Sequence, residues 1–313
     1  MKTSGAYLDA RVLIAYVAQV AIWGSTWGAI KIGVADVPPW IFAFDRTVLV
    51  ALSLTAVALA FRLPFPRDRR TLGLIAFSGS INSGICWALI FWAEQFVPSG
   101  LVAVFGATAP IWTALLAHFL VRGDRLSGLK ILALVLGFGG IVALVGTSGE
   151  ISGGPALLAM VLLALMPLSW AASGIVMSRA LRDVSPVPAV AIGTAIGGLF
   201  LIPLAATELG KPAIWSLDAI LALLYLSFVG SSVGLVLNFW LYRRLRPTTV
   251  MLSQLLITAE AILIGATFLG ERITVSMLVG AALVLAAVAL NARVGRREPS
   301  PAVPEQAVAT PAD

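Results

Sequence analysis

The chain has 313 residues, of which 59% are hydrophobic and 12% are charged, and its formal net charge is +6. Because a water-soluble domain carries roughly 25% charged residues, this composition excludes a soluble globular protein and predicts an integral membrane protein. The basic residues lie between apolar runs, which indicates membrane topology rather than a nucleic-acid partner. A single cysteine, Cys86, excludes an internal disulfide and a multi-cysteine metal site.

Ten apolar runs follow one another along the chain, each of about the length that a helix needs to cross a bilayer, roughly 20 residues. Residues 1–11 form a polar lead, and no cleavage-site pattern follows the first run. The predicted transmembrane helices are residues 12–33, 39–61, 71–93, 98–121, 127–146, 155–180, 187–207, 217–240, 248–269 and 275–293. Residues 294–313, rich in Pro and Ala, are predicted to be a disordered tail.

Basic residues are distributed unevenly between the two sets of connections. If the N-terminus lies in the cytoplasm, all but Lys31, Arg46, Lys211 and Arg272 of the 21 basic residues fall on the cytoplasmic side. Cytoplasmic loops carry the excess of Lys and Arg in membrane proteins. Both termini are therefore predicted to lie in the cytoplasm.

The chain contains an internal repeat. Phe91-Trp92 and Pro98 precede one apolar run, and Phe239-Trp240 and Pro247 precede another. Trp23 and Trp170 are separated by the same interval as Asp124 and Glu271, so residues 12–146 and 155–293 are predicted to be two copies of one five-helix unit.

Five helices per copy is an odd number, so the second copy enters the membrane from the opposite face. Such inverted repeats recur in secondary transporters, where the substrate site lies near the middle of the bilayer between the copies. The predicted fold is thus an all-α membrane protein of ten helices in two inverted repeats. The alternative is a duplication that only enlarged a helical bundle.

Two motifs resemble a known family. Residues 23–31 (WGSTWGAIK), followed by Pro38-Pro39 and Arg46, resemble the opening of the EamA domain, and residues 269–274 (LGERIT) followed by Gly280 resemble its close. The resemblance implies a member of the drug/metabolite transporter superfamily, with two tandem EamA domains. Within it, the chain looks most similar to the bacterial YddG-type amino-acid exporters, which implies export of amino acids across the inner membrane.

Polar and aromatic side chains recur at helical spacing on five spans and predict the wall of a cavity. The candidate substrate-binding residues are Gln19, Trp23, Ser78, Asn82, Phe105, Thr108, Trp112, Trp170, Gln254 and Glu260. Amides and hydroxyls bind both ammonium and carboxylate groups, and Trp faces cover apolar side chains and attract cations. This set favours a small zwitterion. The structural alternative is that each Ser or Thr bonds a carbonyl of its own helix.

Charged groups and prolines inside the spans add further predictions. Glu260 is the one carboxylate well inside a span, and is either a proton carrier or a structural residue. Asp45 and Arg46 are expected near the outer mouth as a helix-end anchor or a gate. Pro110 and Pro167 interrupt helical hydrogen bonding in opposite repeats and are the predicted hinges.

Together these features predict a secondary or facilitative transporter that exports amino acids or related small metabolites by alternating access. Its partners would be the small-molecule substrate and the lipid bilayer. A drug or cation exporter with Glu260 as charge partner, and a non-transporting membrane scaffold, are the alternatives. With one histidine and no paired carboxylates, metal-ligand cluster or nucleotide-binding loop in the sequence, neither an enzyme nor a metal or other cofactor is predicted.

Overall fold

A computed structural model describes residues 10–120, 128–146, 154–181, 183–245, 250 and 253–297, and all regular secondary structure among them is helical. The helices are α1 (Ala10–Asp36), α2 (Pro39–Ala60), α3 (Arg69–Ala93), α4 (Ser99–Gly106), α5 (Ala109–Leu120), α6 (Gly128–Gly146), α7 (Gly154–Arg179), α8 (Pro186–Ala206), α9 (Leu217–Tyr242), α10 (Ser253–Phe268) and α11 (Val275–Arg297). Helices α3 and α9 each contain a π-helical stretch, at Ser80–Cys86 and Tyr225–Val233.

The predicted all-α membrane fold is confirmed. Among the described helices, α1, α2, α3, α7, α8 and α9 are long and apolar enough to cross a membrane. The other four predicted spans are occupied by shorter apolar helices, at Ser99–Thr113, Ile131–Gly140, Ser253–Phe268 and Met277–Leu290. Because these four are short, the count of ten spans stays a prediction. Some predicted features lie outside the described residues. They are most of the lead (residues 1–9), the end of the fourth span (within 121–127) and most of the tail (298–313).

Proline and capping residues set several helix boundaries. Pro39 and Pro186 occupy the first positions of α2 and α8, where a missing N–H costs nothing because that group has no intrahelical acceptor. Asp68 caps α3 through a 2.7 Å hydrogen bond donated by the backbone N–H of Thr71, and this bond lowers the pKa of Asp68. These local signals begin the three helices directly after the loops that the sequence pattern predicts.

The fourth predicted span is broken in two. Helix α4 ends at Gly106, and α5 begins at Ala109, directly before Pro110. The prolyl nitrogen has no N–H to continue the helical ladder across this point. Helix α7, by contrast, runs without interruption through Pro167. The two predicted hinge prolines therefore lie in different local structures, one beside a break and one inside a continuous helix.

Contacts between helices repeat when the two halves are exchanged. Helix α1 packs against α10, and its counterpart α7 packs against α5. Helix α2 packs against the π-helical stretch of α9, and its counterpart α8 packs against that of α3. Helices α2 and α8 also pack along each other, as do α6 and α11. The two halves are thus arranged about a pseudo-two-fold axis.

Counterpart helices run in opposite directions. Asp36, the last residue of α1, accepts a 2.5 Å hydrogen bond from Ser216, the N-cap of α9. Lys31 of α1 donates hydrogen bonds to the carbonyl oxygens of Glu94 and Val97, which follow the end of α3. Because α3 ends where its counterpart α9 begins, the repeats are inverted. This end of the bundle is called the Glu94 end below.

Helices α3 and α8 cross at glycines. A Cβ atom added to Gly79 of α3 would lie less than 3.0 Å from the backbone of Gly193 of α8, whereas a Cβ added to Gly193 would lie 3.5 Å from Gly79 Cα. Further along the same contact, a Cβ atom added to Gly197 would lie 2.8 Å from the backbone nitrogen of Gly84. Small residues at a helix crossing let two backbones touch, which is a common way to join helices within a bilayer.

Candidate functional site

A cavity of about 180 Å³ lies between the two halves. Its wall is formed by residues of α1, α2, α3, α7, α8, α9 and α10, together with Leu181 and Val250 outside these helices. It extends from Leu181 and Ala189 at one end of the bundle to Arg46 and Ile90 near the Glu94 end. A roughly 150 Å³ apolar cavity is large enough for benzene, so this space suits a small metabolite.

The structure brings six of the ten predicted site residues together in this wall. They are Gln19, Trp23, Ser78, Asn82, Trp170 and Gln254. They come from α1, α3, α7 and α10, so both halves contribute. Whether they bind a substrate stays a prediction.

The other four predicted site residues lie outside the cavity wall. Phe105 is completely buried in the core, and the Thr108 hydroxyl donates to the Phe105 carbonyl at 2.7 Å, which is the structural alternative expected for a threonine in a span. Trp112 packs edge-on against Phe138, with 5.3 Å between ring centroids. Glu260 lies against Gly24 of α1, where a Cβ would collide with its carboxylate.

Several polar atoms in the wall have no hydrogen-bond partner. Gln19 is fully buried, and its amide nitrogen donates to Asn238 Oδ1 at 2.8 Å, which leaves Gln19 Oε1 unpaired. Ser78 Oγ, Asn82 Oδ1 and Trp27 Nε1 are also unpaired. Since a buried polar group without a partner costs about 1–3 kcal/mol, these atoms mark a space suited to a polar occupant.

Tryptophans cover much of the remaining wall. Trp23 donates through Nε1 to the Gly230 carbonyl at 3.1 Å, which fixes its ring against α9. The rings of Trp27 and Trp170 lie 6.3 Å apart and inclined by 49°. A wall of this kind offers apolar faces for a side chain beside the unpaired amide and hydroxyl groups.

Arg46, expected from the sequence near the outer mouth as a helix-end anchor or a gate, was not predicted to line the cavity. It is only 6% exposed and lines the cavity, and its Nε donates to Ser231 Oγ at 2.9 Å. The guanidinium lies 4.0 Å from the centre of the Trp87 ring. No ion pair joins it to Asp45 in the described part of the chain. The available signal was a charge inside an apolar span, which usually faces a cavity.

The Glu94 end is closed by carboxylates that cap helices across the two halves. Glu271 accepts hydrogen bonds from the backbone N–H groups of Ser99 and Gly100 at 2.8 and 3.3 Å, at the start of α4. Glu208 accepts two from Trp40 and Ile41 at the start of α2, at 2.8 and 3.1 Å. Negative charge at a helix N-terminus is stabilised by the helix dipole, so both caps bind the halves together.

Glu94 itself is completely buried, and neither carboxylate oxygen has a hydrogen-bond partner. Sequence reasoning gave this residue no special role. Burial raises the pKa of Glu94 well above its usual value of 4.5, and the positive charge of Lys31 opposes that shift. Arg46 and Glu271 are also close enough to influence it electrostatically.

The chain is similar to a known protein family, to proteins named as transporters or efflux pumps, and to a solved structure. A model of the EamA-like transporter family matches residues 10–146 and 157–293. The uncharacterized inner membrane transporter YedA of Escherichia coli K12 is 28% identical over 254 residues, covering 81% of each chain. A probable amino-acid metabolite efflux pump of the same strain is 28% identical over 284 residues, covering 87% of this chain and 91% of the relative. One crystal structure of another protein aligns with a TM-score of 0.62 at 16% identity, over 92% of this chain and 99% of that one.

Proposed function

Since this chain belongs to the EamA-like transporter family, we propose that it exports amino acids or closely related small metabolites across a bacterial inner membrane. The observation that carries the proposal is the cavity between the halves, with its unpaired amide and hydroxyl atoms beside tryptophan faces. A relative named as a probable amino-acid metabolite efflux pump supports the same cargo class.

The proposed mechanism is alternating access, with both termini in the cytoplasm. Two inverted halves around a central cavity can expose it to one side or the other by rocking. The Glu94 end, closed by Glu208 and Glu271, is the outer end in this topology. Export then requires these inter-half caps to separate after the cargo has entered from the cytoplasmic side.

Export of drugs or lipophilic cations is the competing function for this fold. Two observations speak against it. Glu260, the expected partner for a cation, lies outside the cavity wall, and the wall carries the Arg46 guanidinium. A fixed positive charge repels a cationic cargo.

Counterflow in proteoliposomes tests the proposal. Purified protein is reconstituted, and exchange is measured for a panel of labelled amino acids and for tetraphenylphosphonium. Exchange of at least one amino acid is expected. Exchange of the cation alone would refute amino-acid export, and exchange of neither would favour a non-transporting scaffold.

Two variants link any transport to the cavity. Gln19→Leu and Asn82→Leu remove amides of the wall whose oxygens are unpaired and replace them by apolar groups of similar size, and each is expected to lower exchange at equal protein incorporation. Thr113→Val is the matched control, because its hydroxyl donates to the Ala109 carbonyl of its own helix and does not line the cavity. Wild-type exchange by all three variants would place the transport path elsewhere.

A further inference from the structure

Arg46 is a charged residue well inside a membrane-spanning helix. It is the eighth residue of α2, which starts at Pro39, so it lies about 10 Å along the axis at a rise of roughly 1.5 Å per residue. Charged groups at such depth are costly, and in membrane proteins they usually serve a pathway or a ligand.

The protein satisfies only part of this guanidinium. An arginine has five N–H donors, and the single one on Nε is used by Ser231. In the described part of the chain, the two terminal nitrogens have no hydrogen-bond acceptor, and no carboxylate lies within 4.0 Å. The rings of Trp87 and Phe91 lie 4.0 and 5.5 Å from the guanidinium carbon, which stabilises the charge without using its N–H groups.

Arg46 and its neighbour Gly230 both line the cavity. A Cβ atom added to Gly230 would lie 3.8 Å from Arg46 Nη2, an ordinary contact distance, and 2.8 Å from Thr26 Cγ2, so the Gly230 backbone lies beside the guanidinium. Gly230 and Ser231 both lie in the π-helical stretch of α9, and such stretches occur often at functional sites. The stretch thus holds Arg46 through its Nε, and Arg46 also lines the cavity.

Glu94 is not in contact with Arg46 as a counter-ion. Glu94 interacts electrostatically with Arg46, yet both of its oxygens lack a hydrogen-bond donor. A structural ion pair would bring these groups together, because breaking a buried pair leaves two unpaired charges. The arrangement instead leaves the terminal nitrogens of Arg46 available to a hydrogen-bond acceptor on a molecule in the cavity.

We propose that Arg46 binds the carboxylate of the transported molecule, so that the cavity selects small carboxylates over the corresponding amides and amines. This rests on the proposed transport function and narrows its cargo. A planar guanidinium with two free terminal nitrogens matches a carboxylate in a bidentate geometry. One arginine suits a single negative charge, and Trp27 Nε1 is a further unpaired donor in the same wall.

The test compares three competitors in the counterflow assay. They are the amino acid exchanged best by the wild type, its α-carboxamide and its decarboxylated amine. In the wild type, the amide and the amine are expected to compete about 10- to 100-fold more weakly than the acid, the range for loss of charge-assisted hydrogen bonds. Equal competition by all three would overturn the inference without any variant.

Variants then assign the preference to one side chain. Arg46→Gln is expected to bring the acid down to the level of its amide. Lys31→Gln removes a positive charge from the same end of the bundle but not from the cavity wall, and it is expected to keep the full preference. If Arg46 were only structural, Arg46→Gln would change stability, and the folded fraction would keep the wild-type ratio between competition by the acid and competition by its amide.

The outcomes separate this inference from the proposed function. Amino-acid exchange without a preference for the carboxylate, or an Arg46→Gln variant that keeps the preference, overturns the inference alone. A wild type that exchanges tetraphenylphosphonium and no amino acid overturns both. If Arg46→Gln does not fold, the comparison of the three competitors on the wild type still decides.

Discussion

The crossing of α3 and α8 allows a sharp test of the fold, because its two glycines have unequal surroundings. A methyl group added at Gly79 would lie less than 3.0 Å from the Gly193 backbone, and no side-chain rotation can relieve a clash with backbone. A methyl group added at Gly193 finds its nearest neighbour, Gly79 Cα, at an ordinary 3.5 Å. The same chemical change is thus forbidden on one helix and permitted on the other.

The expected magnitudes follow from two opposing effects. Replacing glycine by alanine in a helix interior favours the helix by about 1 kcal/mol, while inserting a methyl group into a well-packed contact costs about 1–3 kcal/mol. Gly193→Ala gains the first effect without the second, so its stability should equal or slightly exceed that of the wild type. Gly79→Ala incurs the upper part of the second range and should be destabilised by about 2 kcal/mol.

Unfolding of both variants in detergent, followed by tryptophan fluorescence, measures the difference. Gly79→Ala should unfold at a lower temperature or denaturant concentration than Gly193→Ala, and where unfolding is irreversible the comparison becomes one of unfolding rates. Equal stability of the two variants would refute the described approach of α3 to α8. Greater stability of Gly79→Ala would imply a different register between these helices.

Three further predictions concern other parts of the molecule. Glu271→Gln, which weakens charge-assisted bonds to the start of α4, should lower stability by about 1–2 kcal/mol, with thermal unfolding as the assay; an unchanged midpoint would contradict the cap. Glu94 has a raised pKa, so it binds a proton more tightly in the folded protein than in the unfolded chain. The stability of the wild type should therefore fall relative to that of Glu94→Gln as the pH rises above the usual carboxyl pKa of about 4.5. The fall should be at most about 1.4 kcal/mol per pH unit. A pH-independent difference between these two proteins would contradict that shift. Pro110→Ala and Pro167→Ala should slow counterflow if the prolines are hinges, and unchanged exchange in both would remove the hinge hypothesis.

The fold could be predicted in large part from the sequence because the bilayer imposes simple rules. A helix must satisfy its own backbone groups in hydrocarbon, so apolar runs bounded by residues such as Pro39 and Pro186 translate directly into helices. The inverted relation followed from counting five spans per repeat. The break between α4 and α5 was not predicted, although Pro110 marked it, since proline in a span is compatible with a kink as well as with an interruption.

The site was harder to predict because helical spacing gives a face but not the neighbour that the face meets. Gln19, Asn82 and Trp170 were placed in the wall from spacing alone, and they lie there. Thr108 has the same kind of spacing, yet its hydroxyl is satisfied within its own helix. Arg46 was expected near the outer mouth as an anchor or a gate, but spacing could not show that its side chain reaches the hydroxyl of Ser231 on another helix.

The two halves share an architecture but differ at the position of Arg46, the charged residue of the cavity wall. The spacing that aligns Trp23 with Trp170, and the two family matches at residues 10–146 and 157–293, also aligns Arg46 with Gly193. At this position α2 carries Arg46, whose guanidinium bonds Ser231 in the π-helical stretch of α9. Helix α8 carries Gly193, whose backbone packs against Gly79 of α3, directly before the π-helical stretch of α3. Among the described residues of the wall, this symmetric scaffold therefore carries a single fixed positive charge, on one side of the cavity. That asymmetry would orient a zwitterionic cargo, because only one wall attracts its negative end.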